Sequence, residues 1–103
     1  MINSKQRAWL RSQANPLDCL FQVGKGELTE QLLRGLDEIL STHELLKINV
    51  MKSAEKTPAD LARLMAAAVG ADVIQVIGRR IVLYRHSEKL ARLGKDLQLP
   101  KSL

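Results

Sequence analysis

Apolar residues recur along this chain with two spacings, one helical and one alternating. From Thr29 to about Thr42, Leu32, Leu33, Leu36, Ile39 and Leu40 fall at i, i+1, i+4, i+7 and i+8, a single stripe on a helix. Thr29 is suited to cap it, Glu30 favours its first turn, and Leu28 can pack on Leu33 across the cap. A third helix is punctuated at both ends: Thr57 as N-cap, Pro58 in the first turn, Asp60 at N3, and Gly70 as the stop. Leu61, Leu64, Met65 and Ala68 mark its expected buried side. An N-terminal helix, capped by Ser4, should run to about Ala14, because Asn15 precedes Pro16 and so avoids the α region. Trp9, Leu10 and Ala14 are its expected contacts to the body.

Alternation predicts four strands. Leu20–Val23 places Gln22 opposite Phe21 and Val23, and Leu45–Met51 places Leu46, Ile48 and Val50 on one face with Lys47 and Asn49 on the other. Val73–Ile77 and Ile81–Tyr84 flank a glycine, and a two-residue Gly78-Arg79 turn gives a type II′ hairpin. That register sets Gln75 against Val82, Val73 against Tyr84, and Asp72 near Arg85. Gln75, Arg80 and Tyr84 then share a polar face, leaving Ile74, Val76, Ile81 and Leu83 for the core.

The order is an N-terminal helix followed by β-α-β-α-β-β. Two right-handed crossovers and a hairpin make a four-stranded mixed sheet in the α/β class. The two capped helices should cover one face. The other face, carrying Gln22, Lys47, Asn49, Gln75, Arg80 and Tyr84, is too polar for a doubly covered sheet, so an open-faced two-layer sandwich is expected, with room for the first helix over part of that face. Residues 1–86 form the expected domain and 87–103 a basic tail with Lys89, Arg92, Lys95 and Lys101. A short helical turn is expected over Ser87–Leu93, and an irregular path after Gly94.

Charge narrows the choice of partner. The chain of 103 residues holds 16 Lys+Arg against 11 Asp+Glu, a formal charge of +5, and such an excess favours an acidic polymer. The stretch Leu28–Gly70 has five basic and six acidic residues, so the excess lies toward the two ends and in the Lys25 turn. Cys19 is the single cysteine, which excludes an internal disulfide and fits a reducing, cytoplasmic setting. No apolar run reaches membrane-spanning length, and the N-terminus lacks the apolar core of a signal peptide.

Catalysis finds little support. His43 sits at a helix end and His86 opens the tail, neither with a nucleophile partner or metal-ligand spacing. Lys25 lacks the following Lys-Ser or Lys-Thr of a nucleotide-hydrolysing loop. No catalytic residue, metal or cofactor is expected. The stretch Val23–Thr29, VGKGELT, does carry ligand chemistry: Gly24 and Gly26 let a ligand approach the backbone, Lys25 adds a positive charge, and the helix start behind them favours anions.

Four segments, SKQRAWLRSQA, PLDCLFQVGKGELT, HELLKINV and, from Ile74 to Arg85, IQVIGRRIVLYR, together resemble the YhbY-type CRM domain of bacterial and chloroplast RNA-binding proteins. The resemblance covers about Ser4 to Arg85. It implies a fold like the C-terminal domain of translation initiation factor 3, RNA binding, and association with large-subunit (50S) ribosome precursors; related splicing factors use the domain on group II intron RNA. The family's GxxG loop, comparable to that of KH domains, falls on Gly24, Lys25, Gly26 and Glu27, an acidic residue where glycine is usual.

The expected RNA-contacting residues are Lys5, Arg7 and Arg11 of the first helix, Gly24, Lys25 and Gly26 of the turn, Lys47 of the sheet, and Arg79, Arg80, Tyr84 and Arg85 of the hairpin. The expected partner is ribosomal RNA in pre-50S particles, with no membrane or small-molecule substrate, and a monomer when free. Docking on ribosomal or other ribonucleoprotein proteins through the polar sheet and the leucines of the tail is the alternative. Because a carboxylate repels phosphate, Glu27→Gly is expected to tighten RNA binding.

Overall fold

The computed structural model describes residues 2–100; Lys101 and the rest of the tail's end lie outside the described residues. Eight elements follow one another: α1 (Ser4–Ala14), β1 (Cys19–Val23), α2 (Glu30–His43), β2 (Leu45–Val50), α3 (Pro58–Val69), β3 (Asp72–Ile77), β4 (Arg80–Tyr84) and α4 (Glu88–Arg92). The sheet order is β1-β2-β4-β3, with β1 parallel to β2 and both other pairs antiparallel. This is the expected α/β topology with a four-stranded mixed sheet.

Local chemistry explains the boundaries. Thr29 and Thr57 cap α2 and α3 by accepting the Leu32 and Asp60 backbone N–H groups, and Gly70 ends α3 in the left-handed conformation. The cap of α1 is Asn3, one residue before the expected Ser4. Its side chain accepts from the Gln6 N–H while the Gln6 side chain accepts from the Asn3 N–H, so the reciprocal pair outcompetes a lone serine.

Two apolar clusters lie on opposite faces of the sheet. On one face α2 and α3 bury Leu36, Leu40, Leu61 and Met65 against Val23, Leu46, Ile48, Val50, Ile81 and Leu83. The buried side of α3 is Leu61, Ala62, Met65 and Ala66, turned from the expected stripe, with Leu64 only half-buried and Ala68 exposed. On the other face, Leu10 and Ala14 of α1 cover Leu45, Ile74, Val82 and Tyr84, joined by Leu97 and Leu99 of the C-terminal segment. That covering spans only the half of the sheet where β2 and β3 begin and β4 ends. Gln22, Asn49 and Arg80, at the other end, remain outside it.

The hairpin has the expected two-residue turn, with Ile77 paired to Arg80 and Gln75 to Val82, and Gly78 at φ +56° where a type II′ turn needs a positive value. Beyond Gln75 the register differs from expectation: Val73 pairs with Leu83 and Asp72 with Tyr84. Ile74 is the extra residue of a β-bulge, which exchanges the faces of everything before it. Ile74 therefore joins Tyr84 beneath α1. Val76 lies past the bulge and keeps its place opposite Ile81, yet it is partly exposed where a core position was expected.

The C-terminal segment is fastened to the body. Ser87 caps α4, and the buried Glu44 carboxylate accepts the Ser87 N–H at 2.7 Å and the Leu97 N–H at 2.6 Å. His86 Nδ1 lies 3.2 Å from the same carboxylate. After Gly94 the path has no regular secondary structure, as expected, yet Leu97 and Leu99 are packed against the sheet.

Candidate nucleic-acid interface

Because β1 and β2 are parallel and β4 runs against them, Val23, Val50 and the β3–β4 turn all lie at one end of the sheet. Three connections meet there: the turn 24–27, the β2–α3 loop 51–57, and the hairpin tip 78–79. Backbone bonds join them directly. The Met51 N–H donates to Val23 O at 2.8 Å, and the Val50 N–H to Arg79 O at 2.8 Å. Side chains add further ties: the Lys25 N–H donates to Ser53 Oγ at 3.1 Å, and the Arg79 guanidinium to Met51 O at 3.3 Å.

The glycines serve different purposes. Gly26 has φ +89°, a conformation glycine adopts without penalty. Gly24 is needed for space: a Cβ there would stand 3.0 Å from both Met51 Sδ and Ser53 Oγ. The turn is thus pressed against loop 51–57 at van der Waals contact.

Glu27 does not face a ligand. Its backbone takes φ +45°, and its carboxylate accepts the Lys56 N–H at 2.7 Å and the Lys56 ammonium at 2.9 Å. These bonds, the backbone one foremost, hold the Glu27 carboxyl below the ordinary carboxylate range, and the bond from the ammonium to the carboxylate raises Lys56. The side chain is 11% exposed. The repulsion expected between Glu27 and a phosphate is therefore largely neutralised within the protein.

Of the expected contact residues, Gly24, Lys25, Gly26, Arg79 and Arg80 are brought together at this end. Lys25 and Arg79 are exposed, and Arg80 donates to Asn49 Oδ1 on the uncovered half of the sheet. Lys47 lies further along the same face, its ammonium 3.2 Å from Asn15 O. Lys5 and Arg11 are exposed on α1, over the opposite half of the sheet, whereas Arg7 donates to Val73 O at the edge of β3.

Tyr84 and Arg85 lie elsewhere than expected. Tyr84 is 5% exposed beneath α1, and burial pushes its phenol up to about 12, so its ring offers no surface for stacking. The Arg85 guanidinium is committed to the Asp37 carboxylate, the Val69 and Asp37 carbonyls and Ser41 Oγ. Both belong to the packed end of the sheet.

Two residues escaped the sequence reading. Lys52 and Lys56 stand in loop 51–57, a polar connection without a motif, and only the fold shows that it adjoins the glycine turn. Lys52 is exposed with its side chain unpaired, as is that of Lys25. Across the three connections and Arg80 there are five basic residues, Lys25, Lys52, Lys56, Arg79 and Arg80, against two acidic, Glu27 and Glu55. Among the described residues, no group of three or more His, Cys, Asp or Glu side chains is arranged to hold a metal ion, and no helix is long and apolar enough to cross a membrane.

The order of elements, the glycine turn and the basic end together define a recognisable domain class. Residues 2–85 match the CRS1 / YhbY (CRM) domain, and the chain belongs to that family. It is 34% identical over 100 residues to the Probable RNA-binding protein YqeI of Bacillus subtilis, covering 97% of this chain and all of the relative. An RNA-binding protein of Haemophilus influenzae is 30% identical over 100 residues, covering 97% of this chain and 96% of its own. The solution structure of the hypothetical protein SAV1595 from Staphylococcus aureus superposes with a TM-score of 0.77 at 34% identity, over 97% of this chain and 100% of that one.

Proposed function

We propose that this protein is a non-catalytic RNA-binding module that docks on structured ribosomal RNA in large-subunit precursors. The observation that carries the reading is the meeting of three connections at one end of the sheet, with Lys25, Lys52 and Arg79 exposed on them and Arg80 alongside. Family membership and relatives named as RNA-binding proteins support it. Phosphates are held there by charge and by backbone approach at the glycine turn. Sequence preference is modest, since of the three aromatic residues Tyr84 is buried, Phe21 packs against the core and Trp9 against the α1 cluster. The alternative of docking on proteins through the tail finds less support, because Leu97 and Leu99 are engaged in the fold.

The test is affinity for ribosomal RNA fragments over a range of salt, paired with sedimentation of the protein alongside ribosomal particles. Neutralising about four phosphates gives a log–log salt slope of roughly −3 for single-stranded RNA. Binding that ignores salt, or co-sedimentation that survives removal of the RNA, would overturn the reading.

A further inference from the structure

The position where the family pattern has glycine carries Glu27 here, and the structure gives that departure a purpose. Glu27 holds a left-handed φ, spends both carboxylate oxygens on Lys56, and is nearly buried in a connection otherwise open to solvent. A non-glycine residue accepts such a backbone where surrounding contacts over-determine it. Two further ties accompany it, from the Lys25 N–H to Ser53 Oγ and from the Met51 N–H to Val23 O. Loop 51–56 thus forms a second wall beside the glycine turn, and the two unpaired ammonium groups, on Lys25 and Lys52, rise from adjoining stretches of backbone.

We propose that Glu27 is a positioning residue: by latching onto Lys56 it joins the glycine turn and loop 51–56 into one rigid rim, whose Lys25 and Lys52 contact the sugar-phosphate backbone of RNA. The inference rests on the RNA-binding reading above and adds Lys52 to the contact surface. It reverses the expectation that Glu27→Gly tightens binding, because a flexible glycine there unlatches the rim. Lys56 acts through the latch and leaves phosphate contact to the free lysines.

The experiment compares Glu27→Gln, Lys56→Met and the double variant with the wild-type protein, measuring affinity for a short mixed-sequence single-stranded RNA across salt. Amide exchange at Lys25 and Gly26 is followed in the free protein. The two single substitutions change net charge in opposite directions, so a bare charge effect makes Glu27→Gln bind tighter and Lys56→Met weaker. A latch makes both bind more weakly, by about threefold to tenfold, with the double variant no worse than the weaker single. Exchange at Lys25 and Gly26 should quicken in all three. Lys52→Ala should flatten the salt slope by about 0.7, while Lys56→Met leaves it unchanged.

Tighter binding by Glu27→Gln, unchanged exchange, a flattened slope for Lys56→Met, or no effect of Lys52→Ala would each overturn the proposal. The exchange measurement uses no RNA. A wild-type protein that fails to bind RNA therefore sinks the functional reading and the rim's ligand, while the latch itself still stands or falls on exchange.

Discussion

The two ends of the sheet hold the same kinds of side chain in opposite states. At the end where β4 finishes, Arg85 is bonded to an aspartate, two carbonyls and a hydroxyl, Tyr84 is covered, and Glu44 is buried with its carboxylate shared among three groups of the C-terminal segment. At the end where β1 and β2 finish, Lys25 and Lys52 are unpaired, and Arg79 and Arg80 are exposed with one neutral hydrogen-bond acceptor apiece. Arg79 and Arg85 are six positions apart in sequence, yet one is a surface cation and the other an internal tie. Residue type set neither role. Partners did, and partners are fixed by topology.

The difference is testable in stability against affinity. The largest expected effect is at Glu44, which is fully buried at φ +61° and whose loss strands the Ser87 and Leu97 N–H groups. Glu44→Ala should cost about 2–4 kcal/mol, from orphaned donors and lost charge-assisted bonds. A thermal melt should fall by roughly 8–32 °C, at about 4–8 °C per kcal/mol. RNA affinity of the folded fraction should hold. A melting point near that of the wild type would show that the clasp contributes little.

Arginine substitutions come next. Arg85→Ala should destabilise by about 1.5–3 kcal/mol through its lost charge-assisted bonds, with RNA affinity unchanged at a temperature where the variant is folded. Arg79→Ala with Arg80→Ala should behave oppositely, staying within about 0.5 kcal/mol of wild-type stability as surface changes do, while flattening the salt slope by roughly 1.4. If both arginine sets affect the same quantity, the division between the ends fails.

Gly24→Ala sharpens the comparison from the rim side. Its methyl would press on the exposed side chains of Met51 and Ser53, which can shift aside, so stability should fall by no more than about 1 kcal/mol, while affinity should fall as the two walls part. Loss of stability alone would separate the turn from the ligand surface.

Titration provides the smallest effects and the cleanest local probes. Tyr84 is the single tyrosine, so the alkaline rise in phenolate absorbance should centre at about 12 in the folded protein. A phenol raised in the fold contributes stability that is complete below the unfolded value near 10 and is lost as pH climbs toward 12. Glu27 has the opposite sign: depressed in the fold, it contributes above its ordinary 4.5 and loses that contribution as pH falls through the lower folded value. The protection of the Lys56 amide, its exchange rate set against the intrinsic rate at the same pH, should therefore fall in acid, while exchange at Ser87 reports the buried clasp. A Tyr84 midpoint near 10 would mean that α1 does not cover it in solution.

The topology was legible because each helix carries both a stripe and a cap, and each strand alternates between turn signals. What escaped has identifiable causes. The bulge at Ile74 leaves no mark in a run of β-branched residues, so simple alternation pairs Tyr84 with Val73 instead of Asp72, and no local pattern reports that α1 covers Tyr84. Ser4 alone suits an N-cap, and only the reciprocal bond from Gln6 gives Asn3 the advantage. Leu97 and Leu99 belong to a stretch without periodicity, and the Leu97 N–H is held by Glu44, which is distant in sequence. In the candidate site, turn chemistry marks the glycine turn and the hairpin arginines in the sequence. It does not mark Lys52 and Lys56, since adjacency of loops comes from strand order. The Glu27–Lys56 bond crosses 29 positions, a span no local pattern reports.

The central claim, that RNA is held at the end where three connections meet, is tested most directly by amide chemical-shift mapping during titration with a short single-stranded RNA. The account predicts shifts over Gly24–Glu27, Met51–Lys56 and Gly78–Arg80, with Tyr84–Ser87 and Leu97 unmoved. Shifts centred on Tyr84, Arg85 and the C-terminal segment, with the glycine turn silent, would contradict it.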